Sequence, residues 1–240
     1  NGMKVRSLKD TVSKAGVNRI VWDLRYEAAE KINTPVPSGW GNYPQRPLVG
    51  PGIYTAKISA NGQTAETKIT VRADPRIVMT DQDFKLRTES VIALRDQLSQ
   101  THKIINNTDA TLKQLNELKQ RIKTAGDQSG IDATVNGQID EAIKKLKEFE
   151  DEILRRPPPN MGYRQKPRLK EEIADLLGAI DDATARPTNP QLARTLELKQ
   201  ETQDATNQLD RIIQQHVAPI NDKVKNLPQI VVGKSEKKEM

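Results

Sequence analysis

The chain has 240 residues, of which 35% are hydrophobic and 29% are charged, and only eight are aromatic. A core built from this composition is thin and mostly aliphatic, so the sequence favours two modest domains with long helices over one large domain. The chain contains no cysteine, which excludes disulfides and thiolate metal sites.

The net charge of +6 is confined to the N-terminal third of the chain. Residues 1–76 contain 12 Lys and Arg against 6 Asp and Glu, whereas residues 77–240 contain 26 of each sign. No basic stripe is interleaved with stacking aromatics, so nucleic-acid binding is not predicted. No run of 18 apolar residues exists, so no membrane span is predicted, and residues 1–20 lack the apolar segment of a signal peptide.

The N-terminal third contains short β-favouring runs separated by Gly, Asn and Pro. These runs predict antiparallel strands at residues 3–8, 17–26, 52–60 and 64–72. In the second run Ile20, Trp22 and Leu24 occupy alternate positions, which predicts a strand with one buried face. Asn61-Gly62 predicts a tight hairpin turn, because both residues favour positive φ.

Residues 27–51 are rich in Pro, Gly and Asn and predict a long loop that carries Trp40 and Tyr43. Two interpretations of these aromatics stay open. In the first, Trp40 and Tyr43 stack on the apolar face of a sugar ring and form a ligand site. In the second, Trp40 folds back and caps the sandwich.

The remainder of the chain is patterned as helix. Val91, Leu98 and Ile105 lie seven residues apart, within a heptad seam that predicts a helix near 80–124. Further helices are predicted near 134–154, 167–185 and 190–226. The run Pro157-Pro158-Pro159 ends the second helix, and Pro219 predicts a kink in the fourth.

Helix lengths indicate how these elements assemble. At 1.5 Å per residue the first and fourth helices span about 65 and about 55 Å, and the other two about 30 Å each. We therefore predict an elongated antiparallel three-legged bundle whose middle leg is the second helix plus the third, with a compact four-helix bundle as the alternative. The predicted domains are a β-sandwich at 1–76 and a helical bundle at 77–232, followed by a disordered charged tail at 233–240.

Three segments carry a resemblance to known proteins: MKVRSL at 3–8, AGVNRIVWDLRY at 15–26 and GPGIYT at 50–55. They resemble the immunoglobulin-like (Ig-like) module of the type found in flagellar hook-capping proteins. With Asp74-Pro75-Arg76, Pro187-Thr188 and Pro219-Ile220-Asn221, the chain more narrowly resembles the C-terminal region of bacterial exported proteins with Asp-box (BNR) propeller repeats, sortilin-type or glycosyl-hydrolase-like.

That resemblance implies an Ig-like antiparallel β-sandwich, export to the periplasm or the cell exterior, and contact with an upstream propeller. At least one strand of the Ig-like pattern would precede Asn1, so the sandwich is expected to be incomplete and to present an open sheet edge. Such an edge tends to pair with another chain.

Groups suited to catalysis are sparse. His102 and His216 are the two histidines, and both fall on predicted helices. The acidic runs Asp181-Asp182 and Glu150-Asp151-Glu152 offer paired carboxylates, but adjacent acids on a helix point in different directions. No phosphate-binding loop, dinucleotide fingerprint or zinc-protease motif is present, so no catalytic, cofactor or metal residue is predicted.

The predicted function is a non-catalytic accessory region that acts as a scaffold or contacts partner proteins. Two alternatives stay open. One is a carbohydrate-binding module that uses Trp40 and Tyr43, and the other is a stabilising domain of a glycoside hydrolase whose active site lies upstream. The heptad seams are equally compatible with self-association, so a homo-oligomer is a further possible state of the chain.

Overall fold

The computed structural model describes residues 2–9, 16–34, 46–125, 134–157 and 164–224. This part of the chain contains one small antiparallel sheet and is otherwise mostly helical. Its strands are β1 (Gly52–Ala60) and β2 (Gln63–Val71), and its helices are α1 (Asp81–Ala125), α2 (Thr134–Phe149), α3 (Leu169–Asp181), α4 (Asn189–Ile212) and α5 (Ala218–Lys223). None of these helices is both long and apolar enough to cross a membrane.

Two of the helices begin at reciprocal capping boxes. The Thr80 amide donates to the Asp83 carboxylate over 3.1 Å, and the Asp83 amide donates back to the Thr80 hydroxyl over 3.2 Å, which starts α1. Thr188 and Gln191 make the same exchange before α4, over 2.8 and 3.4 Å. Each box satisfies amide groups that the first turn of a helix leaves without a partner.

The heptad seam of α1 is buried as predicted, with Leu98, Ile105 and Leu115 at most 2% exposed. Two threonines interrupt this apolar seam. Thr101 and Thr108 are fully buried, and their hydroxyls donate to the carbonyls of Gln97 and Ile104, each over 3.0 Å. The hydroxyls therefore enter the core without losing a hydrogen bond.

Two helices change to π-helical geometry near their ends. A π-helical segment at Glu150–Leu154 follows α2, and a second at Ile213–Val217 joins α4 to α5. Pro219 lies in the first turn of α5. Because proline lacks an amide proton and crowds the carbonyl four residues earlier, it disturbs the helix at the position where a kink was predicted.

The chain forms two compact units, each assembled from separate stretches of sequence. Of the described residues, the first unit takes 2–9, 16–29, 46–96 and 175–195, and the second takes 30–34, 97–125, 134–157, 164–174 and 196–224. The predicted boundary at residue 76 falls inside the first unit. In the second unit, α2 packs against the π-helical segment Ile213–Val217 and against α5. The predicted tail at 233–240 lies outside the described residues.

Two of the four predicted strands are wrong, because residues 3–8 and 17–26 form no strand. Leu24 has a φ of +57°, a left-handed conformation that interrupts an extended backbone. The alternating pattern also fails to bury one face, since Ile20 is 50% exposed. The segment joins its surroundings through an isolated bridge from Arg25 to Leu48. The described residues thus contain a two-stranded sheet where a sandwich was predicted.

Candidate functional site

The aromatic residues that the sequence suggested as a sugar-binding site are Trp40 and Tyr43. Both lie outside the residues that the structure describes. The carbohydrate-binding interpretation therefore stays a prediction.

Asp181, at the end of α3, joins three parts of the first unit. Its carboxylate accepts hydrogen bonds from Arg25 Nη1 over 2.7 Å, from the Leu48 amide over 2.9 Å and from Arg87 Nη2 over 3.2 Å. The Arg87 guanidinium also donates to the Asp181 backbone carbonyl. The side chains of Asp181 and Arg87 are 6% and 5% exposed, so the charges are buried as a pair. These donors occupy both carboxylate oxygens, which makes Asp181 a structural junction and a poor ligand for a cation.

A second buried ion cluster lies in the other unit, at the two ends of the π-helical segment Glu150–Leu154. Arg155 Nη2 contacts the carboxylate of Asp109, on α1, over 2.7 Å, and it also contacts the carboxylate of Glu150. Burial raises the pKa of Glu150, and the neighbouring Asp109 charge adds to that effect, while Arg155 opposes it. One guanidinium thus contacts two carboxyl groups, and the net effect of these surroundings is to raise the pKa of Glu150.

The two histidines occupy different surroundings. His102 lies on α1 with its Nδ1 hydrogen-bonded to the Glu30 carbonyl, and its buried Nε2 has no hydrogen-bond partner. A carbonyl only accepts, so Nδ1 carries the proton in this arrangement. Burial lowers the pKa of His102, which keeps the ring neutral near pH 7. His216 lies in the π-helical segment Ile213–Val217 and is half-buried.

The β1–β2 hairpin is the most exposed regular element of the described chain. Its turn residues Asn61 and Gly62 have φ of +50° and +77°, as the sequence predicted for a two-residue turn. The register pairs Ala60 with Gln63 and Gly52 with Val71. Beyond the turn, Lys57 and Glu66 form a cross-strand ion pair of 3.3 Å. The hairpin is therefore a well-formed sheet of two strands whose outer edges pair with no other described strand.

Aromatic contacts anchor the base of the hairpin. The ring of Tyr54, on β1, meets Trp22 edge to face with centroids 5.4 Å apart, and its hydroxyl donates to the Gly50 carbonyl over 2.7 Å. Burial raises the pKa of Tyr54 to about 12, and the adjacent Tyr26 adds to the shift. The sequence alternation predicts Trp22 on the buried face of a strand, but Trp22 is half-buried in a non-strand segment that contacts the hairpin.

Sequence reasoning did not find the ion clusters around Asp181 and Arg155. Their members are far apart in the sequence, and a charged residue within a helix carries no local sign that it is buried. Among the described ranges, no three His, Cys, Asp or Glu side chains are placed to hold a metal ion. Comparison with protein-family models, with curated proteins and with solved structures finds no match to this chain.

Proposed function

We propose that this chain is a non-catalytic accessory region of an exported bacterial protein that also carries a propeller. In this proposal its N-terminal part is an Ig-like module, its helices form an elongated bundle, and its role is to contact other proteins, the propeller first among them. The export and the propeller come from the sequence resemblance alone.

The observation that carries the proposal is the open hairpin. All but two residues of β2 are exposed, and the apolar side chains of Ile53 and Ile58 on β1 are 72% and 57% exposed. A two-stranded sheet is marginally stable in water by itself. An unpaired strand edge presents a row of amide and carbonyl groups to which an extended segment of another chain can add. These properties favour a binding role.

The two ion clusters also favour a non-catalytic role. In the parts of the chain that the structure describes, the buried carboxylates of Asp181 and Glu150 and the partly buried carboxylate of Asp109 all contact arginine side chains. A catalytic carboxylate needs a path to a substrate and a geometry that serves the reacting group. Pairing that ties distant segments together serves stability instead.

Two measurements on the purified chain test this proposal. The first follows hydrolysis of a panel of chromogenic aryl glycosides, and the second titrates the chain with the propeller of the parent protein, produced separately, by calorimetry. We expect no turnover and saturable binding of the propeller. Glycoside turnover that a point substitution in this chain abolishes would contradict the non-catalytic role, and absence of any binding would contradict the contact role.

A further inference from the structure

The open edge of β2 has a defined chemical pattern. In a hairpin closed by a two-residue turn, the residues that flank the turn exchange both backbone hydrogen bonds, and this pairing then recurs at every second position. Ala60 and Gln63 flank the turn, so the pairs 58–65, 56–67 and 54–69 use their backbone groups inside the hairpin. The amide and carbonyl groups of the alternate residues of β2 therefore face outward: Thr64, Glu66, Lys68 and Thr70.

All four of these outward residues are exposed. They alternate with a second set on the opposite face, which includes Ala65, Ile69 and Val71. The two faces of the edge therefore differ in side-chain chemistry. One face carries hydroxyls and a pair of opposite charges, and the other carries mainly small or apolar side chains.

This pattern is complementary to itself in one register. When two β2 strands pair antiparallel about Thr67, Glu66 lies opposite the partner's Lys68, and Thr64 lies opposite the partner's Thr70. Outward backbone groups then meet outward backbone groups. On the other face, Ala65 meets the partner's Ile69. Opposite charges, Thr–Thr pairs and apolar pairs at such positions each stabilise a sheet.

A shift to a neighbouring register removes the pairing of Glu66 with the partner's Lys68. Moving the axis by one residue places Glu66 opposite the partner's Glu66, or Lys68 opposite the partner's Lys68, and like charges directly opposite each other are destabilising. The axis at Thr67 is also the midpoint of β2, so it is the register in which the whole strand, Gln63–Val71, overlaps. The outward residues of β1 offer no comparable match, because Lys57 is the charged member of that set.

We infer that two copies of this chain associate through antiparallel pairing of their β2 strands, with a two-fold axis at Thr67. The product is a four-stranded sheet whose outer edges are the two β1 strands. This inference rests on the proposed function and deepens it, because it names a second copy of the chain as a partner. A strand pair of this length is small for a protein interface, so we expect association in the micromolar range or weaker.

A single introduced cysteine tests the register. The chain has no cysteine of its own, so a disulfide in a single-cysteine variant must join two chains. In Thr67→Cys, the two positions form a non-hydrogen-bonded pair with Cα atoms about 4.5 Å apart, within the range for a disulfide. In the matched control Ala65→Cys, the two sulfurs belong to residues about 14 Å apart along the strands. We expect rapid dimer formation under mild oxidation for Thr67→Cys and little for Ala65→Cys. Equal cross-linking of both variants, or of neither, would overturn the inference.

Charge reversal tests the pairing without oxidation. Lys68→Glu places two carboxylates opposite each other twice per dimer, so we expect its dissociation constant, measured by sedimentation velocity, to rise about tenfold or more. The double variant Glu66→Lys/Lys68→Glu restores opposite charges and should return close to the natural value. Lys57→Glu is the control, since it puts like charges across the hairpin but leaves the β2 edge unchanged, and it should dimerise normally.

The outcomes separate this inference from the proposed function. A chain that stays monomeric at every concentration but binds the propeller overturns the β2 dimer alone. A dimer that Lys68→Glu leaves intact, or that the double variant fails to restore, overturns the register. A chain that neither dimerises nor binds the propeller contradicts both.

Discussion

Arg87 and Asp181 are 94 residues apart in the sequence and form an ion pair from which solvent is almost completely excluded. Arg25 donates to the same carboxylate from a third segment of the first unit. The contact links the start of α1, the end of α3 and the N-terminal segment. A buried charge that loses its partner is costly, so this unit depends strongly on Asp181.

Replacing Asp181 by alanine should lower the free energy of unfolding by about 3–5 kcal/mol, because Arg87 is then left buried without a counter-charge. Urea denaturation followed by circular dichroism measures this loss. Asp182→Ala is the matched control, since Asp182 is the next residue and is exposed. Its effect should stay within about 0.5 kcal/mol. Equal losses in the two variants would show that the ion pair does not stabilise the unit.

Glu150 should make stability fall as the pH rises. Its pKa in the folded chain lies above its ordinary value of 4.5, chiefly because it is buried. Between 4.5 and that raised pKa the folded state holds the proton more tightly than the unfolded state does, so the contribution of Glu150 is complete below pH 4.5 and declines above it. The free energy of unfolding of Glu150→Gln, measured by urea denaturation, should therefore decline less over this pH window. If the free energy of unfolding has the same pH dependence in the unsubstituted chain and in Glu150→Gln, this prediction is wrong.

His102 should make stability fall as the pH falls, which is the opposite of the effect of Glu150. Its folded pKa lies below the ordinary 6.5, mainly because of burial, so the unfolded state binds the proton more readily. The stability that the neutral ring provides is present above pH 6.5 and is lost as the pH falls towards the folded pKa. His102→Gln should remove this loss, so thermal unfolding between pH 7.5 and pH 5 should show a smaller decline in stability for the variant than for the unsubstituted chain. His216→Gln is the control and should keep the acid-induced loss.

Two glycines should respond to alanine with opposite signs. Gly62 in the hairpin turn has a φ of +77°, so Gly62→Ala should destabilise the hairpin by about 1–2 kcal/mol. Gly137 lies within α2, and a Cβ there would contact nothing within 4 Å. Gly137→Ala should stabilise the chain by about 0.5–1 kcal/mol, because it reduces the freedom of the unfolded state. Thermal unfolding compares the two, and a stabilising Gly62→Ala would contradict the observed turn geometry.

Local patterns predicted the elements whose formation depends on nearby residues. The heptad spacing of Leu98 and Ile105 predicted α1, and Asn61-Gly62 predicted the hairpin, because both signals act within a few residues. The kink predicted at Pro219 stays a prediction; the structure has the π-helical segment Ile213–Val217 immediately before α5, in whose first turn Pro219 lies. In each case the determining contact lies within one or two turns of the sequence signal.

Contacts between distant residues could not be predicted in this way. The alternation around Trp22 is compatible with a strand, but a strand also needs a partner and an extended backbone, and nothing in the sequence marks Leu24 as left-handed. Asp181 carries no local sign of its partners at Arg25 and Arg87. The pairing properties of the β2 edge also depend on the register, which places Glu66 and Lys68 among the outward residues. The open sandwich edge that the family resemblance implies stays a prediction.

The most direct test of binding through the β2 edge is amide hydrogen exchange along β2, followed by NMR as the chain is concentrated and as propeller is added. We expect the outward amides of β2 to exchange rapidly in the dilute chain and to become protected on association; these are the amides of Thr64, Glu66, Lys68 and Thr70. The inward amide of Thr67 should be protected throughout. Association that leaves all four outward amides exchanging rapidly would place the contact elsewhere and contradict the claim that this chain binds through its open sheet edge.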